Sequence, residues 1–347
     1  MSELVRHALT AIVEGRTLTM DEARDAMGAV MDGDATPSQL AAMLMGLRMR
    51  GETTEELAGF AAAMRARVLR VEAPPGAVDT VGTGGDKSGT FNISTTSALV
   101  VAAAGVPVAK HGNRAITSKA GSADVLEALG IRTDHDAASA GAAIRTLGFA
   151  FLFAPAFHPA MRHAGPTRRE LGVRTAFNLL GPLTNPAGVR RLMVGSGDPH
   201  AAPKLAEVLR LLGDERALVV HGDGVDELPL DGSGVLYDVD PSGIARREVD
   251  PAALGLRRAE TAELAGGDPA ENARLVEGVL SGADPGVRRD VVLLNAGATF
   301  VVAGRAPGLG EGIGLARTTI DSGAPIRLLD GLRAEKRAAD ETKGAGA

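Results

Sequence analysis

The stretch DTVGTGGDKSGTFNISTTSALVVAAAG, residues 79–105, sets four glycines, Gly82, Gly84, Gly85 and Gly89, around one acid, Asp86, and one base, Lys87. Glycines let backbone N–H groups approach an oxyanion with no Cβ in the way. Asn92, Ser94, Thr95 and Thr96 then open an apolar run that reads as a helix. A helix start offers free N–H groups and a partial positive charge. Glycine clusters also make plain tight turns, and hydroxyls at a helix start also act as plain caps. Side by side, the two features favour phosphate. Two familiar phosphate motifs fail here. A P-loop requires Gly immediately before Lys-Ser, where Asp86 stands, and a dinucleotide fingerprint begun at Gly82 requires Gly where Lys87 stands. Asp86 is unexpected in an anion cradle. It would make sense orienting the loop, accepting from a sugar hydroxyl, or facing a divalent cation.

Three further clusters carry candidate chemistry. Lys110, His111, Asn113 and Arg114 crowd four polar groups into five residues around Gly112, directly after the apolar run VPVAK (106–110). Such a loop can be merely solvated. Its attachment to an apolar strand favours a ligand, because buried polar groups need partners. Gly121 and Ser122 then open another helix and a second candidate phosphate site. Arg168 and Arg169 lie in HPAMRHAGPTRRELGVRTAFNLLGPLTNPAG (158–188), a segment shaped by Pro166, Gly172, Gly181, Pro182, Asn185 and Pro186. Adjacent arginines commonly mark the wet face of a helix; an Arg here could instead clamp a carboxylate through two parallel hydrogen bonds. Asp226 and Glu227 in HGDGVDEL (221–228) are either a solvated turn or, with a phosphate nearby, ligands for Mg²⁺. His221 has no second histidine at ligand spacing and the chain has no cysteine, so zinc and disulfides are not expected.

These loops need elements to hold them. Residues 1–70 read as consecutive helices, with Leu4, Val5, Ala8, Leu9 and Ile12 at helical spacing. Thr19, Thr36 and Thr53 are each followed three residues on by Glu22, Gln39 and Glu56, the pattern of a capping box. Gly33 and Gly51 are placed to end helices, and EAPPGAV (72–78) reads as a linker. Beyond it, the short runs VPVAK, FAFLFA (149–154), RLMVGSG (191–197) and ALVVHGDG (217–224) alternate with Ala-rich helical stretches. The alternation predicts an α/β fold: a small N-terminal all-helical domain, residues 1–72, and an α/β domain, residues 73–347, with a central, mostly parallel sheet flanked by helices. The polar loops then fall after strands, where such sheets bind ligands. The tail RAEKRAADETKGAGA reads as frayed.

With 347 residues, 45% hydrophobic and 23% charged, the chain is globular in composition. A net charge of −6, few aromatics and no Trp argue against nucleic acid and anionic membranes. No apolar run approaches the roughly 20 residues of a membrane span. The N-terminus lacks the pattern of a signal peptide, so a cytoplasmic location is expected.

In that order along the chain, GTGGDKSGTFNIST, AKHGNRAITSKAGSADVLEALG, RRELGVRTAFNLLGPLTNPA and DGVDEL resemble the anthranilate phosphoribosyltransferases, over nearly the whole length. The first two stretches could mark the wider superfamily; the third is lacking in pyrimidine nucleoside phosphorylases. The resemblance implies transfer of phosphoribose from phosphoribosyl pyrophosphate to anthranilate with Mg²⁺, in a homodimer, with the helical domain hinged on the α/β domain and part of 166–190 packing into it. It implies donor binding by Gly82, Gly85, Asp86, Thr90, Asn92, Ile93, Ser94, Thr95, Lys110, His111, Gly112, Asn113, Arg114, Ala115, Ile116, Thr117, Ser118 and Ser122. Gly82, Asn113 and Arg168 would contact anthranilate, while Ser94, Asp226 and Glu227 would serve magnesium. Lys110 and Asp86 would be catalytic. Ala120 and the pair Ile116-Thr117 depart from the pattern of many relatives, beside the phosphate loop. A nucleoside phosphorylase of the same fold, a non-catalytic binding relative and a phosphoribosyltransferase with another aromatic acceptor are the competing readings.

Overall fold

Four helices open the chain: α1 (Glu3–Val13), α2 (Met20–Asp32), α3 (Pro37–Arg50) and α4 (Thr54–Arg65). They start where the threonines predict. Thr19, Thr36 and Thr53 each accept from the N–H three residues on, and Glu22, Gln39 and Glu56 reach back to the cap's own N–H. Gly33 ends α2 in the left-handed conformation. Glu56 is fully buried and also accepts from the N–H of Leu18 at 2.9 Å. Its charge is met by Arg50. The structure is a computed structural model and describes residues 1–86, 88–115 and 119–345.

The sheet follows the linker. Strands β1 (Asp79–Gly82), β2 (Val108–Gly112), β3 (Phe149–Phe153), β4 (Arg191–Gly195), β5 (Arg216–His221), β6 (Gly234–Asp240) and β7 (Gly243–Val249) form a five-stranded sheet, β1-β4-β5-β6-β7, and a two-stranded β2-β3 ribbon. The β1-β4, β4-β5 and β2-β3 pairs are parallel; β6 and β7 add antiparallel to the edge. A parallel bridge from Val78 to Val108 brings β2 beside the start of β1. The β6–β7 hairpin was not expected. Its signal was the Asp240-Pro241-Ser242-Gly243 turn.

Helices α5 (Ile93–Ala103), α6 (Ser122–Ala128) and α7 (Ala137–Leu147) lie between the early strands. Then come α8 (Ala154–Phe157), α9 (Gly165–Leu171), α10 (Phe177–Leu180), α11 (Ala201–Leu211), α12 (Pro269–Leu280), α13 (Val287–Val302), α14 (Leu309–Asp321) and α15 (Ala324–Ala345). Strand alternation sorts the core into two. Leu192, Val194, Ala217 and Val219 face a core that continues through Leu205, Leu180, Phe177 and Phe157 into the bundle at Phe60, Leu44 and Met27. Met193, Leu218 and Val220 face the other core, with Leu99 of α5 and Val292 and Phe300 of α13. The bundle thus shares an unbroken core with one face of the sheet. Helix α9 packs on α3, and both α10 and α11 pack on α4. The stretch leading into the linker is tied down: Leu69 N–H donates to Phe157 O at 2.9 Å and Val71 N–H to Pro186 O at 3.1 Å. The C-terminal stretch corrects the expectation of a frayed tail, for α15 runs on to Ala345. Ion pairs hold it: Arg333 to Glu277 at 2.9 Å, Glu335 to Arg132 at 3.4 Å, and Lys343 to Asp134.

Candidate active site

The carboxyl ends of the parallel strands β1, β4 and β5 and the start of α5 converge on one place. Beyond β5 the chain turns through Gly222–Val225, with Gly222 N–H donating to Val225 O at 3.0 Å, and delivers Asp226 and Glu227. Asn295 of α13 holds the next residue at both ends, accepting from Leu228 N–H at 3.0 Å and donating to Leu228 O at 2.9 Å. A Cβ at Gly82 would overlap the Asp226 carboxylate, and one at Gly195 would overlap its backbone carbonyl. Those two glycines let the acid sit against the strand ends.

Both acids take N–H groups that a phosphate could take. Asp226 Oδ2 accepts from Gly84 N–H at 2.9 Å, and Glu227 Oε1 accepts from Ser94 N–H in the first turn of α5 at 3.0 Å. Asp86 joins them: its Oδ1 accepts from Ser88 N–H at 3.2 Å and its Oδ2 from Asp226 N–H at 3.4 Å. Burial pushes the Asp226 and Glu227 carboxyls up. Repulsion adds to this, from Asp86 on Asp226 and from Asp226 on Glu227. Lys110 opposes the rise at Glu227. Its ammonium is buried, donating to Thr80 O at 2.6 Å and to Ser94 Oγ at 3.5 Å, and burial pulls its pKa down against the pull of Asp79, Glu227 and Asp226. Crowded carboxylates with one buried cation suit a divalent ion. Among the described residues no three His, Cys, Asp or Glu side chains form a ready metal cage. Mg²⁺ needs none, since it takes one or two carboxylates and completes its shell with water and substrate phosphate. Ser94, Asp226 and Glu227 fit that requirement.

The remaining expected donor residues that the structure describes lie in the glycine loop, at the start of α5 and between β2 and α6. Gly84 and Gly85 have φ of +68° and +70°, a conformation glycine adopts without strain. Thr90 bridges to Ala265. Asn92 precedes α5 and its Oδ1 accepts from the buried Asn272 at 2.9 Å. Ile93 is buried, and so is Thr95, whose Oγ1 has no partner among the described residues. Gly112 ends β2, where a Cβ would meet Ser122 Oγ at 2.5 Å. Ser122 donates to Asn113 O at 3.2 Å. Ala115 N–H and Gly121 N–H both donate to Asp124, at 3.0 and 2.9 Å. Arg114 is less available than expected, because Asp124 and Glu127 pair with it and it lies over the Phe153 ring. Ile116, Thr117 and Ser118, like Lys87, lie outside the described residues.

The His111 ring is engaged within the fold, which leaves its main chain as the part that could face a donor. Its ring is buried, Nδ1 is 3.2 Å from Gly181 O and Nε2 is 3.3 Å from Nε2 of His158, so both nitrogens are used within the fold. Burial, with the neighbouring His158, pulls its pKa down to about 3. Beside it, Asp79 is fully buried and accepts from His111 N–H at 3.2 Å and from Asn185 Nδ2 at 2.7 Å. Burial pushes Asp79 up to about 6.

Arg168 sits in α9, half-buried, its guanidinium 4.7 Å from the centre of the Phe177 ring. Burial lowers its pKa. Arg174, six residues on, was missed by the sequence reading. Its Nη1 donates to the carbonyls of both Gly84 and Gly85 at 3.3 Å, reaching the glycine loop from the segment that carries Arg168. Nothing local signals that reach.

A helical bundle beside an α/β domain, with a glycine cradle and an acid pair at the strand ends, is the architecture of a glycosyl transferase. A model of the "Glycosyl transferase family, helical bundle domain" matches residues 6–68, and one of the "Glycosyl transferase family, a/b domain" matches residues 74–326. The anthranilate phosphoribosyltransferase of Mesorhizobium japonicum is 52% identical over 332 residues, 96% of this chain and 98% of that protein. The crystal structure of the enzyme from Thermus thermophilus superposes with a TM-score of 0.90 at 47% identity, covering 95% of this chain and 99% of that one. The Saccharomyces cerevisiae enzyme, in complex with PRPP and Mg, superposes at 0.87 with 27% identity, over 97% of this chain and 99% of that one. The chain belongs to the anthranilate phosphoribosyltransferase family.

Proposed function

We propose that the protein transfers the 5-phosphoribosyl group of phosphoribosyl pyrophosphate to the amine of anthranilate, giving N-(5′-phosphoribosyl)anthranilate and pyrophosphate in tryptophan biosynthesis. The observation that supports this reading is the meeting of Asp226 and Glu227 with the glycine loop at Gly84 N–H and the start of α5 at Ser94 N–H, an acid pair brought to the two stretches that suit a phosphate. The bond from C1 of the sugar to the pyrophosphate oxygen breaks and its electrons leave with pyrophosphate. The amine lone pair forms the new N–C1 bond, and the surplus amine proton passes to solvent. No strong base is required, because an aromatic amine is neutral at pH 7. Catalysis is then electrostatic and positional.

The N–H groups of the glycine loop and of the first turn of α5 that the two acids leave open hold the donor phosphates, with Thr90, Asn92 and Ser122 at the rim. Ser94, Asp226 and Glu227 would hold Mg²⁺, which would supply positive charge against that growing on the leaving pyrophosphate. Lys110 is too enclosed to reach far, and supplies the fixed counter-charge beneath the acids. Asp86 orients the loop through Ser88 and Asp226. Arg168 clamps the anthranilate carboxylate, with Gly82 and Asn113 beside the ring. The helical domain, residues 1–72 with part of 166–190, closes on residues 73–347 and keeps water from the donor. The protein works as a homodimer in the cytoplasm; no described helix is long and apolar enough to cross a membrane.

The test follows anthranilate fluorescence in a mixture of protein, anthranilate, phosphoribosyl pyrophosphate and Mg²⁺. Loss of fluorescence that needs both substrates and stops with EDTA is expected. Donor binding by calorimetry without any consumption of anthranilate would move the reading to another acceptor.

A further inference from the structure

We propose that Arg174 is a positioning residue that sets the peptide planes of the donor loop and couples that loop to the acceptor-binding segment. The inference rests on the transfer reaction proposed above and adds a residue to it. Arg174 is exposed and its hydrogen bonds to the described part of the loop go to main-chain oxygens, those of Gly84 and Gly85, both 3.3 Å from Nη1. A trans peptide points its C=O and the following N–H in opposite directions. Holding the Gly84 and Gly85 carbonyls on the Arg174 side therefore turns the N–H groups of Gly85 and Asp86 to the other side, toward an anion. Both glycines have positive φ and no side chain to fix their planes, so the loop needs an outside restraint. A Cβ on Gly85 would meet Arg174 Nη1 at 2.8 Å, which ties the close approach to glycine at that position.

The restraint comes from a telling place. Gly172, in the left-handed conformation, ends α9 by donating to Arg168 O at 3.3 Å, and Arg174 follows two residues later. Past it, Thr175 N–H is anchored on Asn178 Oδ1 at 2.9 Å. A carboxylate held by Arg168 fixes the same short segment that holds the donor loop. Each substrate then favours the other by the same factor, as linkage requires.

The experiment compares wild type with R174A, R174K and R168A. Steady-state kinetics give kcat and both KM values, and calorimetry gives donor affinity with Mg²⁺, with and without benzoate, which offers the carboxylate and no amine. R174A is expected to raise the donor KM about tenfold, the cost of a charge-assisted hydrogen bond, with a smaller change in anthranilate KM. It is also expected to abolish the tightening of donor binding by benzoate seen in wild type. R174K, with a charge but no fork, should recover part of both. R168A should lose the tightening yet bind donor alone as wild type does. Donor affinity and tightening within twofold of wild type in R174A would overturn the proposal. So would a wild type indifferent to benzoate, or an R174A whose KM values and melting temperature deteriorate together. A wild type that binds donor but consumes no anthranilate would sink the transfer reading instead, while the calorimetry would still read the effect of Arg174 on the loop.

Discussion

At the residue scale the acid pair decides most. Glu227 is buried beside Asp226 and Asp86, a like-charge crowding that the fold tolerates through Lys110 and two backbone N–H groups. Asp226→Asn combined with Glu227→Gln is expected to lower Mg²⁺-dependent turnover by on the order of 100-fold or more. The melting temperature without Mg²⁺ should stay near that of wild type, because relief of the repulsion between the acids offsets the loss of two partners of Lys110. Turnover within a few-fold of wild type would remove these residues from the metal site. These residues stood out in the sequence by their types: two adjacent acids after a strand, a glycine cluster, hydroxyls at a helix start. Their actual partners were not. Asp226 meets a loop that lies 142 positions away and Arg174 meets it from 90 away, and no local pattern encodes such distances. The partners of the His111 ring were hidden for the same reason, since Gly181 and His158 meet its nitrogens from distant segments.

Helix starts are where sequence speaks most directly, because a cap uses only its own first turn. The boxes at Thr19, Thr36 and Thr53 could be read for that reason. Helix α15 could not, since its polar surface reads as a tail until Glu277, Arg132 and Asp134 are brought beside it. The β6–β7 hairpin hid similarly: β7 is exposed along most of its length and carries little apolar alternation. The cap at α4 offers a graded test. Thr53→Ala loses one side-chain bond and is expected to cost about 1 kcal/mol in denaturant unfolding. Glu56→Ala strands Arg50 and the N–H groups of Leu18 and Thr53, and should cost roughly 3–5 kcal/mol. Neither should change the KM for either substrate; a shift in KM as large as the loss of stability would show that the bundle shapes the site more directly.

For the molecule as a whole, the paired histidines make stability depend on pH. Burial holds His158 down to about 4 and His111 down to about 3, both below the usual 6.5 of the unfolded chain. Between those values the unfolded state binds more protons, so the histidines' contribution is intact above pH 6.5 and is lost as pH falls toward 4. Asp79, held up at about 6, acts in the opposite sense. The contribution is therefore best read as a difference. The stability of wild type minus that of His158→Gln should fall by about 1 kcal/mol per pH unit below pH 6.5. A difference that stays flat from pH 7 to 4.5 would show that the ring is protonated as readily in the fold as outside it.

The unbroken core also bears on how the chain can be divided. The bundle and the sheet face share one buried cluster through Phe157, Phe177 and Leu180, and the stretch leading into the linker is pinned at Leu69 and Val71. Cutting the polypeptide between residues 68 and 74 would leave each piece with a large apolar face that only the other piece fits. Neither half is then an autonomous module. Co-expressed as two chains, they should reassemble into one particle, as an interrupted core does when its complementary surfaces stay at hand.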